Sequence, residues 1–274
     1  MYQLNININQ KLIKYKYSRT RARLTQEQNK LKKSIETVGH VIKVITETHD
    51  TKTLRIKFDV PFTFKPGQFV MVKSELNNKK ISRAYSISSS PTKAENEHFI
   101  DLTVRQTEKP VVSKWLNERE INDEILFKGP YGKFFWQENA PECSELLLLG
   151  GGSGITPLKS IIDYIFDKSL ENKVKLLYSC ITQDDIILRE DLQSKANKNS
   201  NIDVEFYLTR ESKESNWKGK RRRINKKDIQ ETLDDFEIEK TGCYLCGNPS
   251  FVVSMSVLLN DAGIPEEKIF HEKW

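Results

Sequence analysis

The 274-residue sequence has few cysteines and no long apolar run. Its four cysteines, at positions 143, 180, 243 and 246, are too few to form a disulfide framework in a chain of this length. The longest uncharged apolar run, from 146 to 158, contains three consecutive glycines and is too short to span a bilayer. The N-terminus is polar and has no apolar core typical of a signal peptide. We therefore expect a soluble cytoplasmic protein with no transmembrane segment.

The positive charge of the chain is concentrated at one end. The formal net charge is +6, from 44 basic and 38 acidic side chains. Residues 1–35 contain nine of the basic side chains and one acid, so this segment carries +8 and the remainder carries −2. The pattern predicts a basic N-terminal arm over residues 1–36 and a nearly neutral body, with no nucleic acid as the expected partner. A function of a different class stays open, namely a binding module that uses this arm.

Residues 37–138 have the pattern of an all-β domain. From residue 38 apolar and polar side chains alternate with a period of two, and turn signals such as Lys65-Pro66-Gly67 separate the further strand-like runs. Many short strands at regular spacing favour a closed antiparallel barrel or a sandwich. A short helix is expected at 114–120.

Residues 139–274 follow a different rhythm. The run 146–149 is continuously apolar, as expected of a strand that is covered on both faces. A helix is expected from 158 to 166, and strand and helix patterns alternate five times in all. This alternation predicts an α/β domain with a doubly wound parallel sheet.

A glycine-rich loop lies between the first strand and the first helix of that domain. Residues 150–157 read Gly-Gly-Gly-Ser-Gly-Ile-Thr-Pro. Glycines allow a pyrophosphate to approach the backbone, and a helix N-terminus attracts anions. Pro157 would suit the first helical position. The spacing departs from the usual dinucleotide fingerprint, and a purely structural turn is the alternative.

Two further clusters contain residues that could bind ligands. Arg83, Tyr85 and Ser86 lie on one strand and could bind a phosphate, stack on a ring and hydrogen-bond a heterocycle, although an ordinary polar strand would look the same. Cys243 and Cys246 have C-x-x-C spacing. On a strand they would lie roughly 10 Å apart, too far for a disulfide. No second pair completes a zinc site, so no metal is expected.

Taken in order, these segments resemble the ferredoxin–NADP⁺ reductase superfamily over residues 37–274. The similarity rests on four motifs and on the acidic and aromatic end of the chain. They are Arg83-x-Tyr85-Ser86-x-x-Ser89, Gly129-Pro130-Tyr131-Gly132, residues 150–157, and Cys246-Gly-Asn-Pro-Ser-Phe251. The resemblance implies an antiparallel β-barrel FAD-binding domain over 37–138 and an NAD(P)-binding α/β domain over 139–274.

The resemblance also implies how the first domain would bind FAD. Arg83 would pair with the pyrophosphate, Tyr85 would pack on the isoalloxazine or the ribityl chain, and Ser86 would hydrogen-bond near N5. Val104 and Arg105 match the strand that passes the adenine side. Ser113 matches a phosphate-binding serine at a helix start, although Pro110 stands where relatives often have glycine.

In the second domain the resemblance places the nicotinamide dinucleotide. Gly152, Gly154 and Thr156 would cradle it. Cys246 would lie beside the nicotinamide C4 and flavin N5 and help to align hydride transfer, without acting as a nucleophile.

The end of the chain would complete this site. Glu272 is the candidate for proton supply or polar positioning. Trp274 would stack on the flavin and yield to the nicotinamide, and a frayed surface terminus is the alternative.

A basic segment bears on the choice of nucleotide. Thr209, Arg210 and Glu211 follow the third strand of the α/β domain and resemble the 2′-phosphate motif of the family, and further basic residues up to Arg223 come next. Arginine suits a 2′-phosphate. A solvated basic loop is the alternative. Relatives often carry arginine after the preceding strand, where this chain has Cys180. NADPH is the expected nucleotide, and NADH remains possible.

These expectations amount to an FAD-dependent oxidoreductase. It would transfer a hydride between NADPH and FAD, and single electrons between FAD and a separate protein such as a ferredoxin, a flavodoxin or an oxygenase component. No C-x₄-C-x₂-C motif is present, so no fused plant-type [2Fe–2S] domain is expected. The alternative within the class is an NADH-dependent reductase component for an oxygenase or a haem protein.

Overall fold

A computed structural model describes residues 34–76, 79–107, 110–138, 140 and 143–273. The chain divides into two units, Met1–Ile35 and Glu36–Trp274, and both sheets lie in the second unit except for Ile35, the first residue of strand β1. The predicted basic arm falls almost wholly outside the described residues. Within the described ranges, no helix is long and apolar enough to cross a membrane.

The first half of the second unit is a six-stranded antiparallel sheet. Its strands lie in the order β4-β3-β6-β1-β2-β5. Two short helices, α1 and α2, lie beside β5. The bounds are β1 Ile35–Thr48, β2 Thr51–Lys57, β3 Phe69–Leu76, β4 Lys79–Ser86, α1 Pro91–Asn96, β5 Phe99–Arg105, α2 Val112–Asn117 and β6 Glu124–Tyr131.

One face of this sheet is apolar and forms a buried core. Leu54 and Val72 are among the fully buried residues of its core. An antiparallel bridge between Ile87 and Leu102 joins the end of β4 to β5, so the two edges of the sheet meet there. Enclosing the apolar face removes it from water, which stabilises the fold. The predicted antiparallel barrel is confirmed.

The second half is a five-stranded parallel sheet in the order β11-β10-β7-β8-β9. Helices α3 and α4 pack on one face, and helices α5 and α6 pack on the other. The predicted doubly wound sheet is confirmed. The bounds are β7 Glu145–Gly151, α3 Ile155–Asp167, β8 Lys173–Cys180, α4 Arg189–Lys198, β9 Ile202–Leu208, α5 Lys226–Leu233, β10 Thr241–Gly247, α6 Pro249–Asp261 and β11 Ile269–Lys273.

Two helix starts differ from the sequence-based expectation. Helix α3 begins at Ile155, so Pro157 occupies its third position and not its first. Proline is tolerated there because the first-turn N–H groups have no partner within the helix. Helix α2 begins at Val112 and ends at Asn117, earlier than the predicted 114–120.

Helix α3 lies against the barrel, which brings the ends of the two sheets together. The Ser160 hydroxyl donates a buried 2.7 Å hydrogen bond to the carbonyl oxygen of Ser89. At the C-terminal end of the helix, the Thr92 hydroxyl donates to Asp167 at 2.8 Å. These contacts fix the glycine loop at the start of α3 relative to the barrel strands.

Candidate active site

Three of the predicted flavin-binding residues lie in the second half of strand β4. Arg83 is exposed, and its guanidinium donates to the Ser82 carbonyl at 2.9 Å. Among the described residues no carboxylate forms an ion pair with Arg83, so its charge is available to an anionic ligand. Burial raises the pKa of the half-buried Tyr85 to about 12, so its phenol is neutral. Ser86 ends the strand opposite Phe69. A guanidinium without a carboxylate partner among the described residues suits the pyrophosphate of FAD, and a neutral aromatic ring suits its isoalloxazine or ribityl portion.

Val104 and Ser113 are buried, and both make hydrogen bonds to other residues of the protein. The Val104 side chain is 1% exposed in the barrel core, and its carbonyl accepts a 3.0 Å hydrogen bond from the Asn117 amide. Ser113 is buried, and its hydroxyl oxygen accepts from the Thr107 N–H at 3.4 Å. A contact of either residue with FAD stays a prediction, and for Val104 it would involve the backbone.

The glycine loop requires the absence of side chains at two points. Gly152 has a φ of +55°, a left-handed conformation that favours glycine. A Cβ on Gly154 would lie 2.1 Å from the carbonyl oxygen of Cys246, so the loop touches the end of strand β10. The Tyr178 hydroxyl donates to the Gly152 carbonyl at 2.9 Å, which fixes the loop to strand β8.

The loop leads into a helix start that no side chain caps. Gly154 is the N-cap of α3, and the Thr156 hydroxyl donates to the Ser153 carbonyl at 3.0 Å. A bare glycine surface and an uncapped helix N-terminus together accommodate a pyrophosphate. The loop therefore fits a dinucleotide although its spacing departs from the usual fingerprint.

Phe251 explains the motif that begins at Cys246. A Cβ on Gly151 or on Gly247 would lie 2.9 Å or 2.8 Å from the Phe251 ring, so the ring packs directly on both glycines. Asn248 caps helix α6, and its side-chain oxygen accepts from the Phe251 N–H at 2.9 Å. The motif fixes the end of β10 against the glycine loop.

Cys246 and Glu272 are neighbours on adjacent strands. Their Cα atoms are paired in the parallel register of β10 and β11. Burial, with Glu272 nearby, raises the pKa of the Cys246 thiol, which is 1% exposed. A neutral thiol is a poor nucleophile, which agrees with the sequence interpretation. Burial also raises the pKa of Glu272 to about 7, so this carboxyl can hold a proton near neutral pH.

The cysteines form neither a disulfide nor a metal site in the part of the chain that the structure describes. Trp274, the other residue predicted at the end of the chain, lies outside the described residues.

The predicted 2′-phosphate segment surrounds the end of strand β9. The Thr209 hydroxyl donates to the Cys180 carbonyl at 3.2 Å. Arg221 is bound to loop carbonyls, and Arg222 forms a two-point ion pair with Asp228. Arg210 and Arg223 are exposed, and within the described ranges neither is paired with a carboxylate. Two of the basic side chains are thus available to a phosphate.

Arg105, which the resemblance places with Val104 on the adenine side, has a contact that the sequence did not predict. It ends barrel strand β5, yet one of its guanidinium nitrogens lies 3.5 Å from the Cβ position of Gly152. Its Nε donates to Asp50 at 2.7 Å, and Nη2 lies 3.6 Å from Asp185. The resemblance places this strand near the adenine of FAD. It could not predict the contact with Gly152 and Asp185, because that contact joins residues of the two halves of the protein.

These features define a class of protein: a flavin-dependent oxidoreductase with one region for FAD and one for a pyridine nucleotide. Residues 39–136 match the family described as an oxidoreductase FAD-binding domain, and residues 148–256 match an oxidoreductase NAD-binding domain. The chain belongs to the ferredoxin reductase-like superfamily of FAD/NAD(P)-binding oxidoreductases. The two matched families are thus an FAD-binding and an NAD-binding domain of oxidoreductases.

Curated relatives support this assignment. The glycine betaine monooxygenase reductase subunit of Pseudomonas aeruginosa is 30% identical over 237 residues, which are 85% of this chain and 62% of that protein. The NADH-cytochrome b5 reductase 1 of Cryptococcus neoformans var. neoformans is 31% identical over 209 residues, 73% of this chain and 68% of the relative. The chain thus spans less than two thirds of the length of the Pseudomonas relative.

A solved structure supports the fold. The ferredoxin reductase in carbazole 1,9a-dioxygenase matches 88% of this chain and 69% of its own chain, with a TM-score of 0.74 and 24% identity.

Proposed function

We propose that this protein takes a hydride from NADPH and passes single electrons through FAD to a separate redox protein. The observation that carries the proposal is that the glycine loop, the end of strand β10 and the end of barrel strand β5 meet. The glycine loop is closed on Cys246 and is faced by Arg105 of the barrel. The barrel itself presents Arg83, which has no carboxylate partner among the described residues. This arrangement can hold two dinucleotide cofactors at one junction.

The residues of the chain would bind and orient the two cofactors. FAD, when bound, supplies the chemistry that converts a two-electron donor into single-electron steps. Arg83 would neutralise its pyrophosphate, Tyr85 would pack on it, and Ser86 would hydrogen-bond its ring system. Thr156 and its neighbouring glycines would hold the nucleotide. Glu272 would hold a proton at its carboxyl oxygen.

The acceptor is proposed to be an oxygenase component, a ferredoxin or a flavodoxin. The name of the Pseudomonas relative supports an oxygenase component, because that protein is the reductase subunit of a monooxygenase. The proposed compartment is the reducing cytoplasm, where buried cysteines such as Cys243 and Cys246 remain thiols.

A second candidate is an NADH-dependent reductase for a haem protein or an oxygenase. The cytochrome b5 reductase relatives support it, because their names specify NADH. The exposed Arg210 and Arg223 favour NADPH over this alternative. The basic arm as a binding module remains a proposal of a different class.

The experiment is a steady-state assay of the purified protein with an artificial one-electron acceptor. We expect a flavin absorption spectrum and faster acceptor reduction with NADPH than with NADH. A faster reaction with NADH would favour the second candidate. A protein that has no flavin and reduces no acceptor would contradict both.

A further inference from the structure

Glu47 is a barrel residue that makes a hydrogen bond to the parallel-sheet half of the protein. It lies near the end of strand β1 and is half-buried. One carboxylate oxygen accepts from the Thr53 hydroxyl at 2.6 Å, within the barrel. The other accepts from the backbone N–H of Leu188 at 3.2 Å, although the two residues are 141 positions apart. Glu47 therefore joins two halves of the protein through a single carboxylate.

Leu188 adopts a conformation that leucine rarely takes. Its φ is +60° and its ψ is 25°, and it is the N-cap of helix α4 without a side-chain cap. A left-handed conformation crowds the Cβ of a non-glycine residue, so it persists only where the surroundings hold it. The Glu47 carboxylate binds the N–H of this residue at a helix N-terminus, where negative charge is favourable. Glu47 of the barrel thus stabilises a strained turn in the parallel-sheet half of the protein.

This turn ends the loop 181–188, which leads from strand β8 to helix α4. Asp185 in the loop accepts from the hydroxyl of Thr182 at 2.7 Å. It also lies 3.6 Å from Arg105, which in turn lies beside Gly152. A shift of Leu188 would therefore move Asp185 and disturb the glycine loop.

Charged groups surround Glu47 on both sides of the interface. The carboxylate lines a cavity of about 650 Å³ between the barrel and helices α3 and α4. Burial raises the pKa of Glu47, Asp191 adds to the shift, and Lys159 and two hydrogen bonds oppose it. Lys159 lies 2.8 Å from Asp191, and Lys195 lies 3.2 Å from Asp163. Arg55, also in the cavity wall, is paired with Asp101. These charged side chains are paired with one another. The direct contacts of the Glu47 carboxylate are therefore its hydrogen bonds to Thr53 and Leu188.

We propose that Glu47 is a positioning residue for the nicotinamide nucleotide, which anchors the loop 181–188 to the barrel through Leu188. Its effect on the loop is a property of the protein alone. Its effect on nucleotide use rests on the proposed function.

The test uses three variants of the FAD-loaded full chain. Glu47→Ala removes both hydrogen bonds. Glu47→Gln keeps both, because its carbonyl can accept from Leu188 while its amide donates to the Thr53 hydroxyl. Glu36→Ala is the matched control, because it removes an exposed glutamate from the same strand, where its partner is Lys73.

The first readout is amide hydrogen exchange of peptides that cover residues 186–198. We expect exchange to accelerate by about tenfold or more in Glu47→Ala and to return most of the way to the wild-type rate in Glu47→Gln, which keeps the hydrogen bonds and lacks the charge. Exchange in Glu36→Ala should match the wild type. The proposal is wrong if Glu47→Ala leaves exchange unchanged, or if Glu47→Gln behaves like the alanine variant.

The second readout is steady-state kinetics with NADPH. We expect Glu47→Ala to raise KM several-fold with little change in kcat, and Glu47→Gln to restore KM. Altered exchange with unaltered KM would refute the positioning role. A wild-type protein that oxidises neither nucleotide would refute the proposed function instead, and the exchange measurement would still decide whether Glu47 anchors the loop.

Discussion

At the scale of single residues, the site depends on glycines, whose missing side chains let the backbone make close contacts. Gly154 is the tightest case, because its missing Cβ lets the loop touch the Cys246 carbonyl. The sequence pattern identified this loop correctly as a glycine turn between a strand and a helix. It could not show which glycine touches which strand, because that depends on the crossing of two distant segments.

Gly154→Ala should therefore damage the loop. The added methyl would lie 2.1 Å from the Cys246 carbonyl oxygen, so the loop must move away from β10. We expect a loss of about 1–3 kcal/mol in the free energy of unfolding, measured by urea denaturation, and weaker NADPH binding. Gly150→Ala is the control, because its Cβ would make ordinary contacts at 3.4 Å. Equal effects of the two substitutions would contradict this account of the loop.

Arg210→Ala tests the choice of nucleotide. If the exposed guanidinium binds the 2′-phosphate, its loss should raise KM for NADPH by about tenfold or more and leave KM for NADH nearly unchanged. Lys213→Ala, an exposed cation in the same loop, is the control. Parallel changes with both nucleotides would show that Arg210 does not read the 2′-phosphate.

Glu272 should make stability depend on pH. Burial raises its pKa to about 7 from the ordinary 4.5. A raised pKa means that the fold favours the protonated form. This contribution is complete below about 4.5 and is lost as the pH rises through about 7.

We therefore expect the urea midpoint of the wild type to fall between pH 5 and pH 8 more than that of Glu272→Gln. A second variant, Glu267→Gln, changes an exposed carboxylate near the same strand and should behave like the wild type. If all three proteins follow the same pH curve, Glu272 does not have the shifted pKa.

At the scale of elements, local sequence patterns were sufficient for most strands and helices. The pattern of residues 37–138 predicted several short strands, and β1 to β6 lie between Ile35 and Tyr131. Helix α1 was not predicted, because only Pro91 and Ala94 of its residues are buried, which leaves almost no apolar pattern to recognise. Helix α4, Arg189–Lys198, is one of the helices that the strand and helix alternation predicted. The left-handed Leu188 just before it, whose N–H binds a barrel residue, has no local sequence signal.

Helix α6 gives a test at this scale. Asn248 caps it, accepting from the Phe251 N–H, and Pro249 follows at the first helical position. Asn248→Ala should cost about 1 kcal/mol of unfolding free energy, measured by urea denaturation. Ser254→Ala lies on the same helix away from the cap and should cost less. An uncapped variant as stable as the wild type would show that α6 does not need this cap.

At the scale of the whole molecule, the two sheets were predictable and their junction was not. The change from period-two alternation to strand–helix alternation marks the two halves of the body, and the boundaries at 36 and 138 stay predictions. Phe134 and Trp136 pack in the core of the parallel-sheet half, although the prediction assigns them to the barrel domain. The contacts of Arg105 with Asp185 and of Ser160 with Ser89 join residues far apart in the chain. Single-sequence patterns contain no information on such pairs.

The most direct test of the central claim is an anaerobic titration of the FAD-loaded protein with NADPH, followed by the visible absorption of the oxidised flavin. We expect NADPH to bleach this absorption and a one-electron acceptor to restore it. Gly154→Ala should need more NADPH for the same bleaching. Flavin absorption that neither NADPH nor NADH changes would contradict the assignment of this junction as the place where the nucleotide reduces the flavin.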